Sequence, residues 1–166
     1  DYIMGLTPND WDITTSAKPW EVKKLFRRTV DTGIEHGTVT VMMGNEGYEV
    51  TTYRIDGEYE DSRHPKNVEF TSNLREDLKR RDFTINAMMY DYQNEKLIDY
   101  YQGQEDIKNK CLKMVDEKTF YEDPLRVLRL AQFMARFEFQ VDLKTKEICQ
   151  KMVNEGVLQY LSLERI

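Results

Sequence analysis

The stretch TVTVMMGNEGYEVTTY, residues 38–53, decides how the rest of the chain has to be organised. Two runs rich in β-branched residues, 38–43 and 48–53, flank Gly44-Asn45-Glu46-Gly47, a turn composition that joins antiparallel strands in a hairpin. Glu49 stands in the second run. A carboxylate there has two destinations: the solvated face of the hairpin, or a cluster with carboxylates on a neighbouring strand.

Candidates for that neighbour lie upstream in NDWDIT, residues 9–14. Side chains alternate along a strand at about 3.3 Å per residue, so Asp10 and Asp12 point the same way and each makes the other harder to ionise. A divalent cation resolves that repulsion, and an oxygen-rich site with few carboxylates plus substrate phosphates suits Mg²⁺. Glu49 would complete a three-carboxylate site. The alternative is a solvated turn in which Asn9 or Asp10 caps a bend after Pro8.

Farther along, Pro19, Glu21, Val22, Leu25 and Phe26 predict a short amphipathic helix over 19–27, with Pro19 at its first position and Lys18 a poor cap. Residues 55–72 are polar, carry one proline and show no period, which marks a long functional or disordered loop. Helices are expected over 74–80 and 83–90, strands over 97–101 and 111–115, and a short helix after Gly103. From Asp123 onward, Leu125, Leu128, Phe133 and Phe137, then Leu143, Ile148 and Met152 after Asp142, recur at helical spacing. The expected fold is α+β: a mixed sheet with flanking helices over 1–117, then an all-α part over 118–166.

The chain has 166 residues, enough to bury a core without disulfides or a structural metal. Cys111 and Cys149 share neither a close spacing nor a nearby histidine, so both are expected to be reduced and packed, which suits the cytoplasm. No apolar run approaches the roughly 18 residues needed to span a bilayer, and no membrane partner is expected. The first residue is not Met, and Leu163-Glu164-Arg165-Ile166 looks like the opening of another helix after Ser162, so the chain reads as a fragment. A net charge of −6 excludes bulk electrostatic attraction to nucleic acid, leaving local clusters: Lys79-Arg80-Arg81, and Arg126, Arg129 and Arg136.

Two of those clusters have a chemical reading. Asp123 and Arg126 are neighbours on one helix face at i and i+3, and a local ion pair is the plain explanation. The functional one is that an acceptor beside a donor matches the N4-amino and N3 edge of cytosine and the N6-amino and N1 edge of adenine. Uracil and guanine present the opposite sense, so such a pair admits C and A and leaves polar groups unmatched with U or G. Lys79-Arg80-Arg81-Asp82 sets cations beside an acid, suited to triphosphate oxygens and a ribose hydroxyl, or else is simply a solvated charged face.

DWDITT, TGIEHGTV, EVTTYR, RHP, EDLKRRDFTINA and EDPLRVLR, in this order, closely resemble the bacterial-type tRNA nucleotidyltransferases, the CCA-adding family of the DNA polymerase beta superfamily. The resemblance extends along nearly the whole chain. It implies a nucleotidyltransferase head whose sheet carries Asp10 and Asp12 as metal-binding catalytic residues, with Glu49 as a third carboxylate. It also implies that Arg81, Asp82, Asn86 and Arg129 contribute to nucleotide binding, that Asp123 and Arg126 in a helical neck read the base, and that 56–72 is the loop linked to the switch from C to A addition. The implied reaction is Mg²⁺-dependent addition of C and A, from CTP and ATP, to the tRNA 3′ end. A bacterial poly(A) polymerase, a CC-adding or A-adding specialist, and a non-catalytic nucleotide- or tRNA-binding module are the alternatives. The family's Gly-Gly-x-x-Arg segment is not in this sequence, nor are its body and tail, and Glu138 stands where the family usually has Gly.

Overall fold

The computed structural model describes residues 2–8, 11–57 and 68–162. The fold is α+β, and the described residues separate into two compact units: those up to 57 together with 68–77, and those from 78 onward.

The first unit is built on the hairpin. Strand β1 (Ile13–Thr15), β2 (Thr29–Gly33), β3 (Thr38–Met43) and β4 (Glu46–Thr52) form one sheet in the order β1-β4-β3-β2. Strand β1 runs parallel to β4 while the other pairs are antiparallel, so the sheet is mixed. The hairpin turn is tighter than the four residues expected: Met43 pairs with Glu46, and Gly44 takes φ of 66°, where a residue without Cβ is unstrained. Glu46 and Gly47 therefore belong to the strand.

Side-chain alternation gives the sheet two different faces. Val39, Val41, Val50 and Thr52 are buried on one, and helix α1 (Pro19–Leu25) covers it with Val22, joined by Ala17. Helix α1 starts at Pro19, and the Glu21 carboxylate accepts the Lys18 N–H at 2.7 Å, making good the cap that a lysine side chain cannot supply. The Thr52 hydroxyl donates to the Ala17 carbonyl at 2.7 Å and ties helix approach to sheet.

Both ends of the expected 55–72 loop prove to be strand: β5 (Arg54–Asp56) pairs antiparallel with β6 (Val68–Phe70), and residues 58–67 lie outside the described residues. Asp77, buried, accepts the Arg54 N–H at 3.1 Å, and the Arg54 guanidinium donates to the His36 carbonyl at 2.6 Å. These bonds fix the ribbon's base. Helix α2 (Leu74–Lys79) follows, and the division between the units falls within it.

In the second unit the helix expected over 83–90 is absent. A 3₁₀ turn, Thr84–Asn86, leads into β7 (Met88–Asp91), which pairs with β8 (Lys96–Asp99). Phe83 and Ala87 are both fully buried and four apart, a spacing that mimics a helix, but Asp91 closes a tight turn by accepting the Gln93 and Asn94 N–H groups. Helix α3 (Gly103–Lys108) is capped by the Asp99 carboxylate, which accepts from Gly103 and Gln104 at 2.8 and 2.9 Å. The strand expected over 111–115 is shorter, β9 (Cys111–Leu112), and pairs in parallel with β10 (Gln140–Val141).

Three helices complete the unit: α4 (Glu117–Glu122), α5 (Leu125–Phe137) and α6 (Leu143–Asn154). Asp116 and Asp142 cap α4 and α6 through the N–H groups of Thr119 and Thr145, each at 3.1 Å. Phe83 meets Phe120 and Phe133 edge to face, with ring centroids 5.5 and 5.6 Å apart, at the centre of the core. Backbone hydrogen bonds join Thr84 and Asp82 to Lys113 and Val115, and Gln140 and Asp142 to Lys110 and Leu112, so this unit includes residues on both sides of position 117. The part expected to be all helical also contains β10. Residues 163–166, where a further helix is expected, lie outside the described residues. Among the described residues no helix is long and apolar enough to cross a membrane, and both cysteines are free thiols.

Candidate active site

In the first unit the sheet register decides which carboxylates are neighbours. Ile13, Thr14 and Thr15 lie opposite Val50, Thr51 and Thr52 in the parallel pair. Asp12 immediately precedes Ile13 and Glu49 immediately precedes Val50, so the two carboxylates flank the first pairing of the parallel strands. By side-chain alternation Glu49 stands on the face opposite buried Val50, the one not covered by α1. Asp12 and Glu49 are both exposed, and Thr38 and Thr51 lie beside them with hydroxyls 3.0 Å apart. Asp10 lies outside the described residues. Among the described residues no group of three or more His, Cys, Asp and Glu side chains is placed to hold a metal ion, so within that set the oxygen donors here are Asp12 and Glu49.

In the second unit five of the expected residues, Arg81, Asp82, Asn86, Arg126 and Arg129, are brought together. Asp82 is buried; its Oδ1 accepts the Phe83 N–H at 2.7 Å and the Asn86 Nδ2–H at 3.1 Å, and its Oδ2 accepts Arg129 Nε–H at 2.6 Å. Arg126, also buried, donates through Nη1 to the Arg81 carbonyl at 3.3 Å and through Nη2 to the Arg80 carbonyl. Its guanidinium lies over the Phe120 ring, and that of Arg129 lies over Phe133 at 5.2 Å from the centroid. Helix α5 thus holds the turn 80–82 with two arginines a helical turn apart.

Asp123 sits between α4 and α5, where its carboxylate accepts the Leu125 N–H at 3.1 Å. With Pro124 following, this short bonded turn breaks the helix and starts the next one. Sequence reasoning names Asp82 and both arginines but misses what supports them. The Thr84 hydroxyl donates to Asp106 at 2.6 Å, and α3 packs on the turn that carries Asn86. The available signal is Gly103, whose lack of Cβ permits that approach: a Cβ there would overlap the Thr84 carbonyl oxygen.

The family model described as the poly A polymerase head domain matches residues 1–113. The chain therefore belongs to the poly(A) polymerase head-domain family. It is 49% identical to a CCA-adding enzyme of Listeria monocytogenes EGD-e over 168 aligned positions, covering all of this chain and 42% of the relative. A CCA-adding enzyme of Staphylococcus aureus MRSA252 is 44% identical, with 41% of its length covered. Among solved structures, the Bacillus stearothermophilus CCA-adding enzyme in complex with CTP superposes with a TM-score of 0.87 at 37% identity over 99% of this chain and 39% of that one. A tRNA nucleotidyltransferase complexed with a primer tRNA and an incoming ATP analog gives 0.75 at 31% identity, over 99% of this chain and 47% of its own. The chain spans about two fifths of the length of the curated relatives it matches.

Proposed function

We propose that this chain supplies the nucleotidyltransferase head, over 1–117, and the beginning of a helical neck, over 118–166, of a cytoplasmic enzyme that adds C and A to the 3′ end of tRNA from CTP and ATP. The observation that supports this reading is the parallel pairing of β1 with β4, whose first pair, Ile13 with Val50, follows directly on Asp12 and Glu49. The similarity to CCA-adding enzymes along the full chain supports it too.

Hard carboxylate oxygens on an exposed face fit magnesium, with Asp12 and Glu49 as donors and Asp10 the third candidate. Bound there, magnesium would lower the pKa of the attacking hydroxyl and offset triphosphate charge. In the reaction the tRNA 3′-oxygen forms a bond to the α-phosphorus as the bond to pyrophosphate breaks in line, and no covalent enzyme intermediate is required. Asp82 accepts a hydrogen bond from the ribose, Arg81 pairs with triphosphate oxygens, and Asp123 with Arg126 matches the edge shared by C and A.

The matched family's description favours one second reading, a poly(A) polymerase. Incubating the full-length protein with all four nucleoside triphosphates and tRNA lacking its CCA end separates the readings. Three added nucleotides, C, C and A, support CCA addition; long adenylate tails support the polymerase; two C residues or a single A identify a specialist; and no incorporation identifies a binding module. Asp12→Asn should reduce incorporation by more than roughly a hundredfold, since metal-binding residues matter more than their supporting shell.

A further inference from the structure

We infer that Arg129 is a positioning residue for sugar recognition: it fixes the carboxylate of Asp82 from helix α5, so that discrimination between ribose and deoxyribose depends on Arg129 even though Asp82 makes the contact. The inference rests on the sugar-binding role proposed above for Asp82.

An ionised carboxylate offers about four lone-pair sites. Three donors reach Asp82 from fixed directions, the Phe83 N–H and Asn86 Nδ2–H on Oδ1 and Arg129 Nε–H on Oδ2. What remains is acceptor capacity on Oδ2, on a residue only 8% exposed, so an incoming hydroxyl can meet it from a narrow range of directions. The Phe83 and Asn86 donors hold Oδ1 from the turn itself. Arg129 alone among these donors comes from another element, 47 positions away, and sets the rotation that aims Oδ2.

Arg129 is itself held in place. The face of Phe133 lies beneath its guanidinium, and Phe133 is packed edge to face against Phe83, the residue next to Asp82. Three residues earlier on the same helix, Arg126 anchors the carbonyls of Arg80 and Arg81. The turn is therefore clasped at both ends by one helix, and Arg126 is also one half of the proposed base reader. Removing Arg129 frees the Asp82 carboxylate to rotate while Arg126 still holds the backbone, so the loss falls on sugar recognition.

The test compares kcat/KM for CTP and 2′-deoxy-CTP in the full-length protein, unchanged and as Asp82→Asn, Arg129→Lys and Arg129→Gln. The ratio within each variant cancels differences in folded fraction. The expected result is a ribose preference that falls roughly tenfold in Asp82→Asn, the worth of one charged hydrogen bond, and by a similar factor in Arg129→Gln, with Arg129→Lys between. Arg129 variants that lose activity equally toward both nucleotides, while Asp82→Asn still loses preference, would overturn the positioning role and leave the sugar role of Asp82 standing. A preference unchanged in Asp82→Asn would overturn the sugar role, and the inference with it.

Discussion

Arg126 donates a hydrogen bond to the carbonyl of Arg81, a residue 45 positions earlier, from a side chain that is almost wholly buried. A buried cation is tolerated because its donors meet fixed acceptors, and those acceptors depend on it in turn. Arg126→Met should lower stability by about 2–4 kcal/mol, because the carbonyls of Arg80 and Arg81 lose their guanidinium donor. Arg126→Lys should recover part of that. Urea denaturation gives the measurement, and a methionine variant with an unchanged midpoint would contradict this account of the turn.

Helix α5 ends at Glu138, which takes φ of 56° while its N–H closes on the Met134 carbonyl. A side chain in the left-handed region is strained, and glycine is not. Replacing Glu138 by Gly should raise stability by about 1 kcal/mol, seen as a higher melting temperature. The same substitution one residue earlier, at Phe137, should destabilise, since that ring stacks on Phe133.

Two glycines should respond differently to alanine. A Cβ added at Gly44 would meet nothing within 4 Å, so the positive φ is the whole penalty and Gly44→Ala should cost about 1 kcal/mol. At Gly103 a methyl group would strike the Thr84 carbonyl, and backbone must move. Gly103→Ala should cost about 3 kcal/mol or disturb the turn outright. Comparable chemical denaturation midpoints for the two variants would refute the close approach of α3.

Burial pushes the Cys149 thiol up to about 11, and burial followed by the charges of Asp106 and Asp142 raises that of Cys111. Thiolate is the reactive form, so both should react slowly with a disulfide reagent near pH 8, Cys149 the slower. The sign of the stability effect follows. Below the ordinary thiol value near 9 both folded and unfolded Cys149 keep the proton; above it the unfolded chain ionises first, so this contribution is lost as pH rises toward about 11. Cys149→Ser should flatten that part of the stability profile.

How much of this is legible in the sequence depends on whether the signal is local. The hairpin, α1, α5 and α6 each show their period within one segment, and their approximate spans follow from it. The region 83–90 misleads because two buried residues four apart fit a helix as well as a 3₁₀ turn followed by a strand; the deciding feature is the Asp91 turn that follows. Helix α4 has one buried residue, Phe120, and so shows no stripe. The pairing of β9 with β10 covers two residues from distant segments and leaves no pattern to find. The same holds for the site. Asp82, Arg126 and Arg129 can be named by type and motif, but the bonds among them join segments that only the fold brings together.

Among the described residues the four-stranded sheet is bordered by β1 and β2, and each border disfavours the addition of a further strand by a different device. Strand β1 offers only three residues, too few to template another chain. Strand β2 is longer, but its register shifts between Val30 and Gly33, and Asp31 is held at 2.8 Å by Lys23 from α1, so an added strand would meet an irregular backbone and a charge pair. Despite an exposed Val30 on that border, the shifted register and the charge pair disfavour strand-by-strand addition of a second copy there.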